Sequence, residues 1–155
     1  MIIRPFESSD ADALATLFHW SIHEAGRRYY SDMQVKAWSP SRPEPERYLR
    51  QSKERTFLVA IDDAGEPIGY GDLIPNGHID HLYCRPDRVG TGVGSAIYAA
   101  LEDAARTAAL AVLYVDASEG ARLLFERRGF KVVVRNDFVL NGIAIHNYRM
   151  SKSLA

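Results

Sequence analysis

Three glycines at alternate positions, Gly90, Gly92 and Gly94, stand in the stretch PDRVGTGVG (86–94), directly before an alanine-rich run. Missing side chains let an anion approach the backbone closely. The free N–H groups and dipole of a helix's first turn then attract it. The chemistry this favours is capture of a phosphate, although the same glycines also fit a plain strand-to-helix turn. Two other phosphate motifs fail on spacing. A GxGxxG fingerprint counted from Gly90 ends on Ser95, and a P-loop needs a lysine that this stretch lacks. Just upstream, HIDHLYC (78–84) carries two histidines and an aspartate. An imidazole with a pKa of about 6.5 suits proton removal near neutral pH. Strict strand alternation predicts His78, Asp80, Leu82 and Cys84 on one face and Ile79, His81 and Tyr83 on the other. His78 and Asp80 are the candidate acid–base pair, and His81 is expected to be structural.

The elements that must position these residues follow from periodicity. Ile2 to Arg4 reads as a short strand. Ser8 and Ser9 are candidate N-caps for an amphipathic helix over 10–25, with Leu14, Leu17, Phe18 and Ile22 on its apolar face. Residues 26–40 are aromatic and read as irregular, and 44–52 as a short helix entered through prolines. Strands are predicted at 56–61, 68–74, 78–84 and 111–118, and helices at 92–107 and 119–128, the last stopped by Gly129. The C-terminal stretch reads as a hairpin turning at Asn141-Gly142. Short connections with one strand–helix–strand crossover imply an α+β layered domain. One domain is expected over 1–155.

RVGTGVGSAIYAAL (88–101) resembles the acetyl-CoA motif of the GNAT superfamily of N-acetyltransferases, Q/R-x-x-G-x-G/A, on Gly92 and Gly94. It departs at Val89, where the family has Gln or Arg. SEGARLLFERRGF (118–130) is similar to the family's N-x-x-A-x-x-L-Y-E-x-x-G-F: Ala121, Glu126, Gly129 and Phe130 match, while Ser118 stands at the Asn and Phe125 at the Tyr position. Two further stretches resemble a group of bacterial acetyltransferases of mostly undefined substrate. The resemblance implies a mixed, mostly antiparallel sheet of six to seven strands with about four helices. It implies acetyl-CoA as co-substrate, held by Leu82, Tyr83, Cys84, Val89, Gly90, Thr91, Gly92, Val93, Gly94, Ser95, Ser118 and Phe125.

The activity implied is direct transfer of acetyl to the amine of a small molecule or a protein. An amine with a pKa of about 10 must first lose a proton, and the thioester oxyanion must be stabilised. His78 and Asp80 fall where the family places its catalytic group, and a backbone N–H near Tyr83 or Cys84 is the expected oxyanion donor. Phe125 cannot protonate the leaving thiolate; either it leaves unassisted or Ser118 or Tyr148 serves. By the same resemblance residues 20–40 cover the acceptor, so Glu24, Tyr29, Tyr30 and Trp38 are its candidate contacts. Arg85 and Arg88, or Arg127 and Arg128, are candidate phosphate contacts. A non-catalytic acyl-CoA-binding or sensing domain is the competing reading, and a homodimer is expected only by resemblance.

Bulk properties narrow the classes. With 155 residues, 46% hydrophobic and 25% charged, the chain has an ordinary globular composition. A net charge of -1 gives no field toward nucleic acid, which argues against acetylation of aminoacylated transfer RNA. One cysteine, Cys84, and acidic residues close to the N-terminus point to a reducing, cytoplasmic setting. No apolar run approaches the roughly 20 residues of a membrane span. His19 and His23 are spaced i, i+4, but no third ligand is evident, so no metal is expected.

Overall fold

The computed structural model describes residues 1–155. Seven strands form one open sheet: β1 Ile2–Pro5, β2 Thr56–Ile61, β3 Pro67–Leu73, β4 His78–Cys84, β5 Val112–Ala117, β6 Lys131–Leu140 and β7 Ile143–Ser153. Their order is β1-β2-β3-β4-β5-β7-β6, and every neighbouring pair is antiparallel except β4–β5. Five helices pack on it: α1 Ala11–Glu24, α2 Asp32–Trp38, α3 Glu46–Gln51, α4 Val93–Thr107 and α5 Glu119–Arg127.

Each face of the sheet buries its own core. On one face Val93, Ile97 and Leu101 of α4 cover Ile68, Ile79, Leu113, Val115 and Met150. On the other, Leu14, Phe18 and Ile22 of α1 cover Val59, Tyr70 and Phe57. Each fully buried aliphatic side chain contributes about 2 kcal/mol, so the two helices fix where β3 and β4 lie.

The predicted mixed sheet is present, with local differences. Residues 32–38 are helical rather than irregular. Ser31 caps this helix: its hydroxyl accepts from the Gln34 amide, and the Gln34 side chain accepts from the Ser31 amide. Neither Ser8 nor Ser9 caps α1, because residues 8–10 form a 3-10 turn. The Asp10 carboxylate is turned back to Arg4 at 2.8 and 2.9 Å. The C-terminal hairpin turns at Asn141 and Gly142, with φ of 49° and 80°, the conformation of a two-residue hairpin loop.

Candidate active site

β4 and β5 pair at only two positions, His78 with Tyr114 and Ile79 with Val115. One residue further along, Asp80 and Asp116 flank the point where pairing stops. A cavity of about 170 Å3 opens there between the two strands. The Arg85 amide donates to the Ile68 carbonyl on β3 at 2.9 Å. Outward and inward groups alternate along an antiparallel pair. The Leu82 and Cys84 amides therefore point away from β3, toward the gap that β5 leaves.

The strand alternation expected of β4 breaks at Asp80. Asp72 pairs with His81 while Leu73 pairs with Ile79, so Asp80 is an extra residue without a partner on β3. The bulge puts Asp80 and His81 on the same face. Ile79, Leu82 and Cys84 turn to the α4 core, and Tyr83 joins the α1 side. His81, expected to be structural, lines the cavity.

His81 is held by Asp72, a carboxylate with no solvent exposure. The His81 amide donates to Asp72 Oδ1 at 2.7 Å, and Nδ1 lies 3.1 and 3.2 Å from the two carboxylate oxygens. In the tautomer that lets Nδ1 donate to Asp72, Nε2 is the acceptor nitrogen, and it has no protein partner. Arg55 Nη1 donates to Asp72 at 2.8 Å and to Asp80 at 2.9 Å. One guanidinium faces two carboxylates, which leaves one negative charge beside the imidazole. Asp72, Asp80 and His81 bring three metal-type donor atoms within 4.8 Å of one another, and Arg55 lies against both carboxylates.

His78, the expected base, is not among the residues that line this cavity. Its ring lies flat on Tyr114, with centroids 4.6 Å apart and planes 5° apart, and its Nε2 is 3.7 Å from Asp116. Burial pulls its pKa below the ordinary histidine value, against the opposing pull of Asp80 and Asp116. Asp116 accepts from Arg149 Nε at 2.6 Å and Nη2 at 3.1 Å.

A second cavity of about 230 Å3 runs from this point toward the glycine loop. Leu82, Cys84, Val89, Gly94, Ala121 and Leu124 line it. The two cavities share Tyr30, Trp38, Leu82, Tyr83, Ser118 and Ala121, so they adjoin along these residues. Gly92 caps α4 at φ 91° and Gly90 sits at φ 80°. These left-handed positions favour glycine. Val93 is buried in the core, and both the amide and Oγ1 of Thr91 donate to the Arg88 carbonyl, at 3.2 and 2.5 Å. Beyond them Ser95, Leu124, Arg127 and Arg128 line a hollow between α4 and α5. Arg85 and Arg88 are instead tied to Asp87 and Asp62. Cys84 lines the second cavity with its thiol pushed up to about 11 by burial. Ser118 caps α5 by accepting from the Ala121 amide at 3.2 Å. Phe125 is 1% exposed and packs edge-on against Tyr98 and Phe130.

The covering segment 26–38 is fastened by Tyr30, whose hydroxyl donates to the His146 carbonyl at 3.0 Å and accepts from the Glu119 amide at 2.8 Å. Tyr30 and Trp38 stand edge-on at 5.6 Å, and Tyr83 follows Trp38 at 6.5 Å. Tyr29 lines only the second cavity. Glu24 is exposed at the end of α1 and lines neither, so it is not brought to the site. His19 and His23 bond the hydroxyl and carbonyl of Ser39, at 2.6 and 2.7 Å.

The family model for the acetyltransferase (GNAT) domain matches residues 27–152. The chain belongs to the GNAT acetyltransferase family. An uncharacterised N-acetyltransferase of Escherichia coli K12, YafP, is 28% identical over 148 residues, 96% of this GNAT chain and 93% of its own length. A GCN5-related N-acetyltransferase structure from Rhodopseudomonas palustris is 34% identical with a TM-score of 0.91, covering 99% of this chain and 95% of that one. The PaiA N-acetyltransferase of Thermoplasma acidophilum, solved with coenzyme A, shares the fold at 18% identity and a TM-score of 0.79, over 98% of each chain.

The GNAT sheet thus gathers His81, Asp72, Arg55, Asp116 and the hairpin residues Phe138, Leu140 and Ile145 around residues the sequence already marked. Arg55 and Asp72 come from the strand region before β4, and the hairpin from the far end of the chain. Asp72 carried a local signal, a charge inside the apolar stretch IGYGDLI (68–74).

Proposed function

We propose that this GNAT chain moves the acetyl group of acetyl-CoA directly to an amine, of a small molecule or a protein, within a ternary complex. The observation that carries the reading is the Asp72–His81 pair, on a cavity that shares six wall residues with the one running toward the glycine loop. The diphosphate lies at the amides of Gly92, Val93, Gly94 and Ser95, with Gly90 and Thr91 shaping the loop and Arg127 and Arg128 nearby. Val89, Leu124 and Phe125 supply apolar wall, and Leu82, Tyr83 and Cys84 the strand edge along the pantetheine arm. The amine enters from the side of Tyr30 and Trp38.

Nitrogen attacks the thioester carbon as His81 Nε2 takes its proton, directly or through water. His81 takes this role in place of His78, and Asp80 with Arg55 sets the local charge. The outward amide of Leu82 or Cys84 donates to the oxyanion. The C–S bond then breaks, and the thiolate leaves unassisted, as a thiol pKa of about 8.5 allows, since Phe125 holds no proton to give.

The test combines calorimetry with acetyl-CoA and free-thiol release over a broad amine panel. Binding with amine-dependent turnover, lost in His81→Gln, supports the transferase. Tight binding without any turnover supports an acyl-CoA sensor instead, and no binding removes both.

A further inference from the structure

We infer that the acceptor is a small monoamine with an apolar, single-ring-sized body and no anionic group. This rests on the reading above, in which the cavity between β4 and β5 receives the amine. Its charge is one-sided. Asp80 and Asp116 line it, and no lysine or arginine does. The arginines that pair with them, Arg55 and Arg149, are not among its lining residues. Arg149 neutralises Asp116, but Arg55 is shared between Asp72 and Asp80. One negative charge therefore stays unmatched at the point where His81 stands, and an ammonium group matches it.

The rest of the wall is apolar. Of the 18 lining residues 12 are hydrophobic, and Tyr30, Trp38, Tyr83 and Phe138 bring aromatic rings. Ring faces attract cations and bury aryl or branched alkyl groups. The volume, about 170 Å3, lies below the roughly 300 Å3 at which pockets for drug-sized ligands begin. An acceptor carrying a carboxylate or phosphate would bury that anion against Asp80 or Asp116 with no counter-charge, which is costly. A long polyamine would press a second ammonium onto Phe138, Leu140 and Ile145.

The experiment compares kcat/KM for phenethylamine, L-phenylalanine, L-phenylalaninamide and spermidine under saturating acetyl-CoA. Phenethylamine and the amide are expected to exceed L-phenylalanine by about 100-fold, the scale at which a site rejects an unmatched buried charge. Phe138→Arg, on a residue 39% exposed that lines this cavity and not the second, adds the missing counter-charge. It is expected to move the phenylalanine-to-phenethylamine ratio toward phenylalanine by about 10-fold. Equal or better use of L-phenylalanine, or preference for spermidine, overturns the acceptor class and leaves acetyl transfer standing. Turnover with no amine at all overturns both.

Discussion

Asp72 and His81 sit in register on β3 and β4, with the imidazole Nδ1 within 3.2 Å of both carboxylate oxygens. The carboxylate engages Nδ1 and leaves Nε2 without a protein partner, on a residue that lines the cavity. His81→Gln should lower kcat by about 10²–10⁴-fold, with acetyl-CoA affinity changed less than about twofold. The residual rate should climb about tenfold per pH unit below the amine's own pKa, as free amine takes over. Asp72→Asn should cut kcat by about 100-fold or more by releasing the tautomer. Wild-type kcat in either variant removes the pair from the chemistry.

Gly92 carries φ 91° at the cap of α4. Gly92→Ala forces a side chain into that conformation, at about 1–3 kcal/mol. Space is not the obstacle, since nothing lies within 4 Å of the added carbon. The strain should lower Tm, and relaxation of the loop should weaken acetyl-CoA binding about 10-fold. Calorimetry and a melting curve on one preparation check both; unchanged affinity would show that the loop holds no phosphate.

Phe125 is 1% exposed between Tyr98 and Phe130. Phe125→Tyr adds a hydroxyl to that packed position, at about 1–3 kcal/mol unless the oxygen finds the cavity. Coenzyme A affinity should stay within about twofold. A large loss of affinity would mean the thiol lies against this ring.

Glu102 receives Lys152 Nζ at 2.5 Å and the Tyr98 hydroxyl at 2.6 Å. Burial raises its pKa, but these donors and Arg106 outweigh it and bring the carboxyl down to about 2 from 4.5. The ionised form is the bound one, so its contribution is complete above about pH 4.5 and is lost as pH falls through 2. Partial exposure screens the gain to about 1–2 kcal/mol. Glu102→Gln should therefore destabilise the protein at pH 7 in urea titrations, and the gap to wild type should narrow at pH 3. A constant gap would contradict the linkage.

Much of this layout could be read from residue order. The glycine loop before α4, the Asn141-Gly142 turn and the stop at Gly129 are local chemistry, so they were visible. The helix over Asp32–Trp38 carried its own cap in Ser31 and Gln34, but its aromatic content masked it. The side on which His81 faces was not legible because period-two alternation was carried through Asp80. The extra residue there is defined by pairing with β3, a relation between strands that β4 alone does not encode. Tyr30 and Trp38 line both cavities, whereas Glu24 lines neither because it is exposed at the end of α1.

The two-pair seam between β4 and β5 makes the molecule two slabs, one of four strands and one of three, held together at one end. A ligand arm lying along the open edge would take the place of a missing strand there. Amide hydrogens of Leu82 and Cys84 should then exchange quickly in the free protein and slowly once the arm is seated, and the wedge should stiffen both slabs together.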